Sequence, residues 1–259
     1  MYQIVTLAPG DQRSKAWDEF VHQDEHGSFF HLSNWQHILT ELGHQCYYLY
    51  ATSGNDIVGV LPLARVRSRL FGDALISTPF CVYGGALGAE PVKRYLEQQA
   101  IALARQLKVD HLELRYQYPQ QNDLETRSQH AFFSCPLAED ADAILAGIKK
   151  KQRAVIRQSM TQQLNFTLDK QSEDFFQTYS ESVRNLGTPV FSKRYFSNLL
   201  YYFPHHTDIL TVRKNGKAVS SVLSFYYKGQ VIPYYGGGVQ AARELKSNDF
   251  MYYQLMCHA

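Results

Sequence analysis

A hairpin occurs twice in this chain with its flanking helices, which commits the chain to two similar units. Residues 43–63, "GHQCYYLYATSGNDIVGVLPL", align without a gap to residues 205–225, "HHTDILTVRKNGKAVSSVLSF". His44 meets His206, Gly54 meets Gly216, and Ile57, Val60 and Leu61 meet Val219, Val222 and Leu223. Each copy reads as strand, tight turn, strand. The turns are Ser53-Gly54-Asn55-Asp56 and Lys214-Asn215-Gly216-Lys217, the second with the Asn-Gly hairpin signal. A helix precedes each copy: "SNWQHILTELG", with Ser33 as N-cap and Gly43 past its end, and "SKRYFSNLLYYFP", with Ser192 as cap and Pro204 as stop. Each copy then leads to a strand ending in Tyr-Gly-Gly, at residues 83–85 and 235–237, and to a further helix. "RVRSRLFGDA" intervenes in the first copy.

The first copy continues into "DHLELRYQ", a strand with Leu112 and Leu114 on one face. The second ends inside a helical pattern, so it is expected to lack closing strands. Between the copies lie the polar loop "QNDLETRSQH", a helical stretch "DADAILAGIKKKQRAVIRQSM" capped by Asp140 or Asp142, and the helix "SEDFFQTYSESVRNLG". The last has Ser172 as cap, Gly187 as C′ residue, and an apolar stripe of Phe175, Phe176, Tyr179, Val183 and Leu186. The expected class is α/β, mixed sheets with flanking helices, divided into residues 1–135 and 136–259.

Composition supports a packed globular chain. Of 259 residues, 45% are hydrophobic and 19% charged. A net charge of +2 does not argue for DNA or an anionic surface. Cys46, Cys81, Cys135 and Cys257 form no C-x-x-C pair, so the plain reading is reduced thiols in the cytoplasm. No basic and apolar leader opens the sequence, and no apolar run approaches the ~18 residues of a membrane helix. His22, His26, His31 and His37 drift in spacing and include no H-E-x-x-H, so no metal site is expected. No G-x-S-x-G elbow is present.

Three consecutive glycines, Gly236, Gly237 and Gly238, cost chain entropy on folding. Where neighbouring strands splay, glycines let a ligand approach backbone N–H groups, and a following helix N-terminus favours an anion or acyl carbonyl. A bulge or turn is the alternative reading.

Helix, hairpin, strand, glycine-rich break and helix together resemble the GNAT acyltransferase fold. Two in tandem resemble the FemAB family, and more closely the FemAB-like proteins of PEP-CTERM/exosortase systems of Gram-negative bacteria. The resemblance rests on "GVLPLARVRSRLFGDALISTPFCVYGG", "LELR", "KKKQRAVIRQS", "SVRNLGTPVF" and "VIPYYGGG" with "NDFMYYQLM". It implies tandem GNAT-like acyl-CoA N-acyltransferase domains, the second incomplete. It also implies a bacterial acyl- or aminoacyltransferase acting on an amine of a cell-envelope or exopolysaccharide precursor, lipid-linked or nucleotide-linked. Aminoacyl-tRNA or acyl-CoA would be the donor. It implies an anion-binding role for Arg184, with Asn185 beside it. The acetyl-CoA members carry R/Q-x-x-G-x-G/A at the pyrophosphate, whereas Pro233 stands first in "PYYGGG", which disfavours acetyl-CoA. A GNAT N-acetyltransferase and a non-catalytic polysaccharide-machinery binding protein are the alternatives.

Further candidates come from the residues themselves. Tyr234 and Tyr235 are expected to alternate faces, one toward the cleft to orient an acceptor or protonate a leaving group, the other in the core. Lys149, Lys150, Lys151, Arg153 and Arg157 are the densest charge; 149, 153 and 157 share a helical face that either grips phosphates or is solvated. Asn248 and Asp249 open the last helix, and Asp249 is the nearest carboxylate to the glycines, hence a candidate base.

Overall fold

The computed structural model describes residues 2–70, 72–128 and 130–259. The chain forms two compact units, one up to Thr126 and one from Arg127. In the first, β1 (Gln3–Leu7) is followed by α1 (Ser14–Gln23), a 3-10 turn (Phe29–His31) and α2 (Trp35–Glu41). Then come β2 (Gln45–Ser53), β3 (Asp56–Ser68), β4 (Gly72–Ser77), β5 (Leu87–Gly88), α3 (Glu90–Leu107) and β6 (His111–Glu113). The sheet order is β1-β2-β3-β4-β6, with β5 also on β3. The pairings are antiparallel except β4 with β6. α3 packs Val92, Leu96 and Ala100 on Leu49, Ala51, Leu61, Leu63 and Leu75.

The second unit runs α4 (Ala141–Gly147), α5 (Lys150–Met160), β7 (Asn165–Asp169), α6 (Glu173–Asn185), α7 (Lys193–Tyr202), β8 (Thr207–Lys214), β9 (Lys217–Tyr227), β10 (Gln230–Gly238), α8 (Ala242–Leu245) and α9 (Ser247–His258). Its antiparallel sheet has the order β10-β9-β8-β7. α9 packs Phe250, Met251 and Leu255 on Leu210, Val212, Val219 and Val222.

The repeated hairpin is present in both sheets, but the gapless alignment is one residue out of step. The observed loops are Gly54-Asn55 and Asn215-Gly216. Gly54 has φ +62, whereas Asn215 and Gly216 have φ +51 and +77. Only Gly54 is left-handed in the first turn, and both central residues are in the second. Counted from the turns, Val58 and Val219 are the same extra residue: Thr52 pairs Ile57 but Ala51 pairs Gly59, and Arg213 pairs Ala218 but Val212 pairs Ser220. In this register Leu49 matches Leu210, Ala51 matches Val212 and Leu61 matches Val222, all core residues. A one-residue slip would send them to opposite faces.

The two Tyr-Gly-Gly stretches are not equivalent either. Gly59 pairs Gly88, and its counterpart Ser220 pairs Gly238. The shared glycine is therefore Gly88 in one unit and Gly238 in the other. A Cβ there would stand 2.6 Å from the Val58 carbonyl and 3.1 Å from the Val219 carbonyl, the bulge residues in both units. The repeat conserves a close backbone approach beside a bulge.

Several local expectations change. Ser33 does not cap α2; its Oγ donates to Asp18 Oδ2 at 2.9 Å, and Asn34 occupies the N-cap position. Ser192 does cap α7, accepting from the Tyr195 N–H, and Asp140 caps α4. Ser172 holds the N-cap position of α6, but its hydroxyl bonds Ser197. The stretch expected as one helix after Asp140 breaks at Ile148, which is extended, and at Lys149, the N-cap of α5. Leu186 is 76% exposed and leaves the apolar stripe.

Arg65 ties the β3–β4 hairpin through a bidentate pair to Asp73 at 2.8 and 2.5 Å, and donates to the Leu107 carbonyl at the end of α3. Hydrogen bonds from Arg65 hold the Asp73 carboxyl below its ordinary range. The depressed folded value means the contribution is complete above the ordinary carboxylate pKa of about 4 and is lost as pH falls through the lowered value. Melting temperature measured from pH 6 to pH 2 should therefore fall less steeply for Asp73→Asn than for the parent. Parallel acid limbs would show that the pair contributes nothing.

Candidate functional site

The glycines of β10 do not form a loop. The strand stays paired through them, Gly236 with Val222, Gly237 with Ser221 and Gly238 with Ser220. None of the three has positive φ. Helices press on both faces. A Cβ at Gly237 would lie 2.6 Å from Ser182 Cβ and 3.4 Å from Tyr179 Cα on α6. A Cβ at Gly238 would lie 2.6 Å from Ala242 Cβ and 2.9 Å from Asn248 Oδ1, and one at Gly236 would lie 3.0 Å from Tyr252 Oη on α9.

The edge of β10 is nevertheless open. The order β10-β9-β8-β7 leaves it with one strand partner among the described residues. The Val239 N–H donates to the Val219 carbonyl at 3.0 Å. Antiparallel alternation then turns the N–H groups of Tyr235 and Gly237 toward β9 and those of Gly236 and Gly238 outward. Pro233, which has no N–H, also falls in the outward phase, where edge strands tolerate it. α9 borders this edge with Asn248 and Tyr252, one helical turn apart.

The expected site residues divide between the edge and other structural positions. Tyr234 and Tyr235 do not take opposite faces: a bulge between Pro233 and Tyr235 makes Tyr234 the extra residue and breaks the alternation. Their rings meet at 4.8 Å, and Tyr234 also lies 5.1 Å from Phe225. Tyr235 is 7% exposed, ringed by Tyr179, Phe191, Tyr195 and Phe196, and its hydroxyl meets that of Tyr195 at 2.8 Å. Asp249 accepts a short hydrogen bond from Gln152 Nε2, which joins α5 to α9. Arg153 donates to the Ala146 carbonyl at 2.7 Å and so closes the end of α4. Lys149 holds the N-cap position of α5, and Lys149, Lys150, Lys151 and Arg157 are exposed.

Arg184 and Asn185 are exposed at the end of α6. The helix meets Gly237 through Tyr179 and Ser182, and Arg184 follows Ser182 by roughly 200° around the helix. The structure thus brings Ser182, not Arg184, to the glycines. Glu181 is the α6 carboxylate at this end: it accepts from the Gln240 N–H at 3.1 Å, just past β10. Tyr252 carries no sequence signal of a site, because "MYYQLM" reads as core helix.

The stretch of the first unit that leads to Gly88 is closed by its own chain. The N–H groups of Gly84 and Gly85 both donate to the Arg115 carbonyl, at 3.0 and 2.9 Å. The Tyr116 ring lies 2.4 Å from where a Gly85 Cβ would be, and His31 Nε2 meets the Gly85 carbonyl at 3.1 Å. The Tyr116 hydroxyl donates to buried Glu97 at 2.5 Å and accepts from the Ala86 N–H. Burial, the Glu97 bond and its charge push that phenol well up.

Residues 145–259 match the GNAT acetyltransferase domain. No curated protein matches the chain. Among solved structures, FemX superposes with a TM-score of 0.72 at 11% identity, over 99% of this chain and 85% of that one. A tandem GNAT protein from the clavulanic acid biosynthesis pathway gives 0.52 at 10% identity, over 98% and 84%. The C-terminal domain of a putative lysylphosphatidylglycerol synthetase from Agrobacterium fabrum gives 0.53 at 15% identity, over 95% and 74%. The chain shares its mixed α/β architecture with these structures. Among the described residues no helix is long and apolar enough to cross a membrane, and no three His, Cys, Asp or Glu side chains are grouped to hold a metal.

Gly237→Ala should destabilise the second unit by about 1–3 kcal/mol, the usual cost of overpacking. Adding Ser182→Gly should recover part of that loss in a double-mutant cycle read by denaturant melts. Additive effects would show that α6 is not the obstacle. Tyr235→Phe should lower stability by about 1 kcal/mol through the lost Tyr195 bond. Unchanged stability would remove the case for that bond as a structural tie.

Proposed function

We propose that the second unit transfers an acyl group from an activated ester or thioester to an amine, with the open edge of β10 holding the donor. The observation that carries this reading is the pair of outward N–H groups at Gly236 and Gly238, on a strand edge that has no second strand partner among the described residues. In the step, the amine nitrogen attacks the acyl carbon, the new C–N bond forms, and the C–S or C–O bond breaks. One proton leaves the nitrogen and ends on the departing sulfur or oxygen. The edge N–H groups align the acyl chain and its carbonyl, and alignment alone lowers much of the barrier.

The first unit is not a second copy of this site in our reading, since the Tyr116 hydroxyl takes the N–H of Ala86, the residue that matches Gly236. Past β10, the Glu181 carboxylate takes the Gln240 N–H. A pyrophosphate at that point would meet a like charge, which agrees with Pro233 in place of an Arg or Gln and disfavours acetyl-CoA held in the usual way. The amine we favour belongs to a nucleotide- or lipid-linked amino sugar of an envelope or exopolysaccharide precursor, as the FemAB resemblance implies.

The test is incubation of the chain with an acyl-CoA panel, and separately with aminoacyl-tRNA, against amino-sugar nucleotides. Mass spectrometry reads the amide, and calorimetry reads donor binding. One donor bound per chain with amide formed is the expected result. Binding without amide would favour a binding protein, and neither binding nor amide would overturn the proposal.

A further inference from the structure

Tyr252 stands out among the polar side chains that the site leaves unexplained. It lies on α9 with its hydroxyl over Gly236, 3.0 Å from the place a Cβ would take. It is 42% exposed, so a bound molecule can reach it. Its hydroxyl makes no hydrogen bond among the described residues. The Gly236 N–H beneath it points out of the same edge. Among the described residues, two unused donors therefore converge from different elements, one from the plane of the sheet and one from above it.

Resting on the acyl-transfer reading, we infer that the Tyr252 hydroxyl and the Gly236 N–H together hold the carbonyl oxygen of the acyl donor and steady the negative charge it gains when the amine adds. Tyr252 is then a catalytic residue that touches the reacting carbonyl. The phenol keeps its proton: it donates a hydrogen bond to the oxygen throughout, and the proton bound for the leaving group still comes from the amine. Burial raises the Tyr252 phenol above its ordinary range, so it remains a donor into mildly alkaline solution. The glycine has a second duty here. Any side chain at position 236 would press on the hydroxyl and part the two donors.

Tyr252→Phe tests the inference, assayed with a thioester and an oxygen-ester donor of the same acyl group. Removing one such donor typically costs on the order of 100-fold in turnover at a buried site. At this half-open edge, kcat/KM should fall about 10- to 100-fold, by the same factor for both leaving groups, with the melting temperature unchanged. Gly236→Ala should lower turnover in the same way. A penalty that grows with leaving-group basicity would show that the phenol gives up its proton, and would overturn the carbonyl-holding role. Unchanged kcat/KM for Tyr252→Phe with the parent active would overturn the inference and leave the acyl-transfer reading standing. A parent that forms no amide from any donor overturns both.

Discussion

The second unit packs helices on both faces of a strand whose last three residues carry no side chains. α6 closes on Gly237 from one side, and α8 and α9 close on Gly236 and Gly238 from the other. Three residues without Cβ atoms lose more chain entropy on folding than three alanines, by roughly 0.5–1 kcal/mol each. In return, these three helices come close to the sheet on both faces, and the described residues leave the strand edge open. The aromatic packing of Tyr235 against Tyr179, Tyr195 and Phe196 fixes the same strand just before the glycines begin.

The two units share one plan and use it differently. Each has a hairpin with a bulge at the same position and a glycine laid against the bulge carbonyl. In the first unit the chain folds back, and Arg115 and Tyr116 take the N–H groups of Gly84, Gly85 and Ala86 ahead of that glycine. Buried Glu97 anchors that plug through the Tyr116 hydroxyl. In the second unit the described residues place nothing comparable beside β10.

Local features of the fold were legible in the sequence. The Asn-Gly turn, the Ser192 cap and the Gly187 stop depend on near neighbours and appear where their residue types require. Register was harder to read. Gly54 and Gly216 are both turn glycines, but they occupy different positions of their turns, so aligning them shifts every strand residue by one. The matching Tyr-Gly-Gly stretches are a coincidence of letters, since pairing shows Gly88 and Gly238 as the equivalent pair. Charge was the least reliable guide. Arg153 satisfies a helix end and Asp249 bridges two helices, functions that only three-dimensional neighbours reveal. Tyr252 was hidden for the opposite reason: an aromatic residue in an apolar helix carries no mark of an unused hydroxyl.

Pro233 has a consequence for how this protein survives at high concentration. An open sheet edge invites another chain to add a strand, the first step toward fibrils. Continuous addition needs an unbroken row of outward N–H groups. Pro233 interrupts that row, and the bulge at Tyr234 twists the strand directly after it. What remains among the described residues is a short window of outward N–H groups at the glycines, too short to template a neighbouring polypeptide.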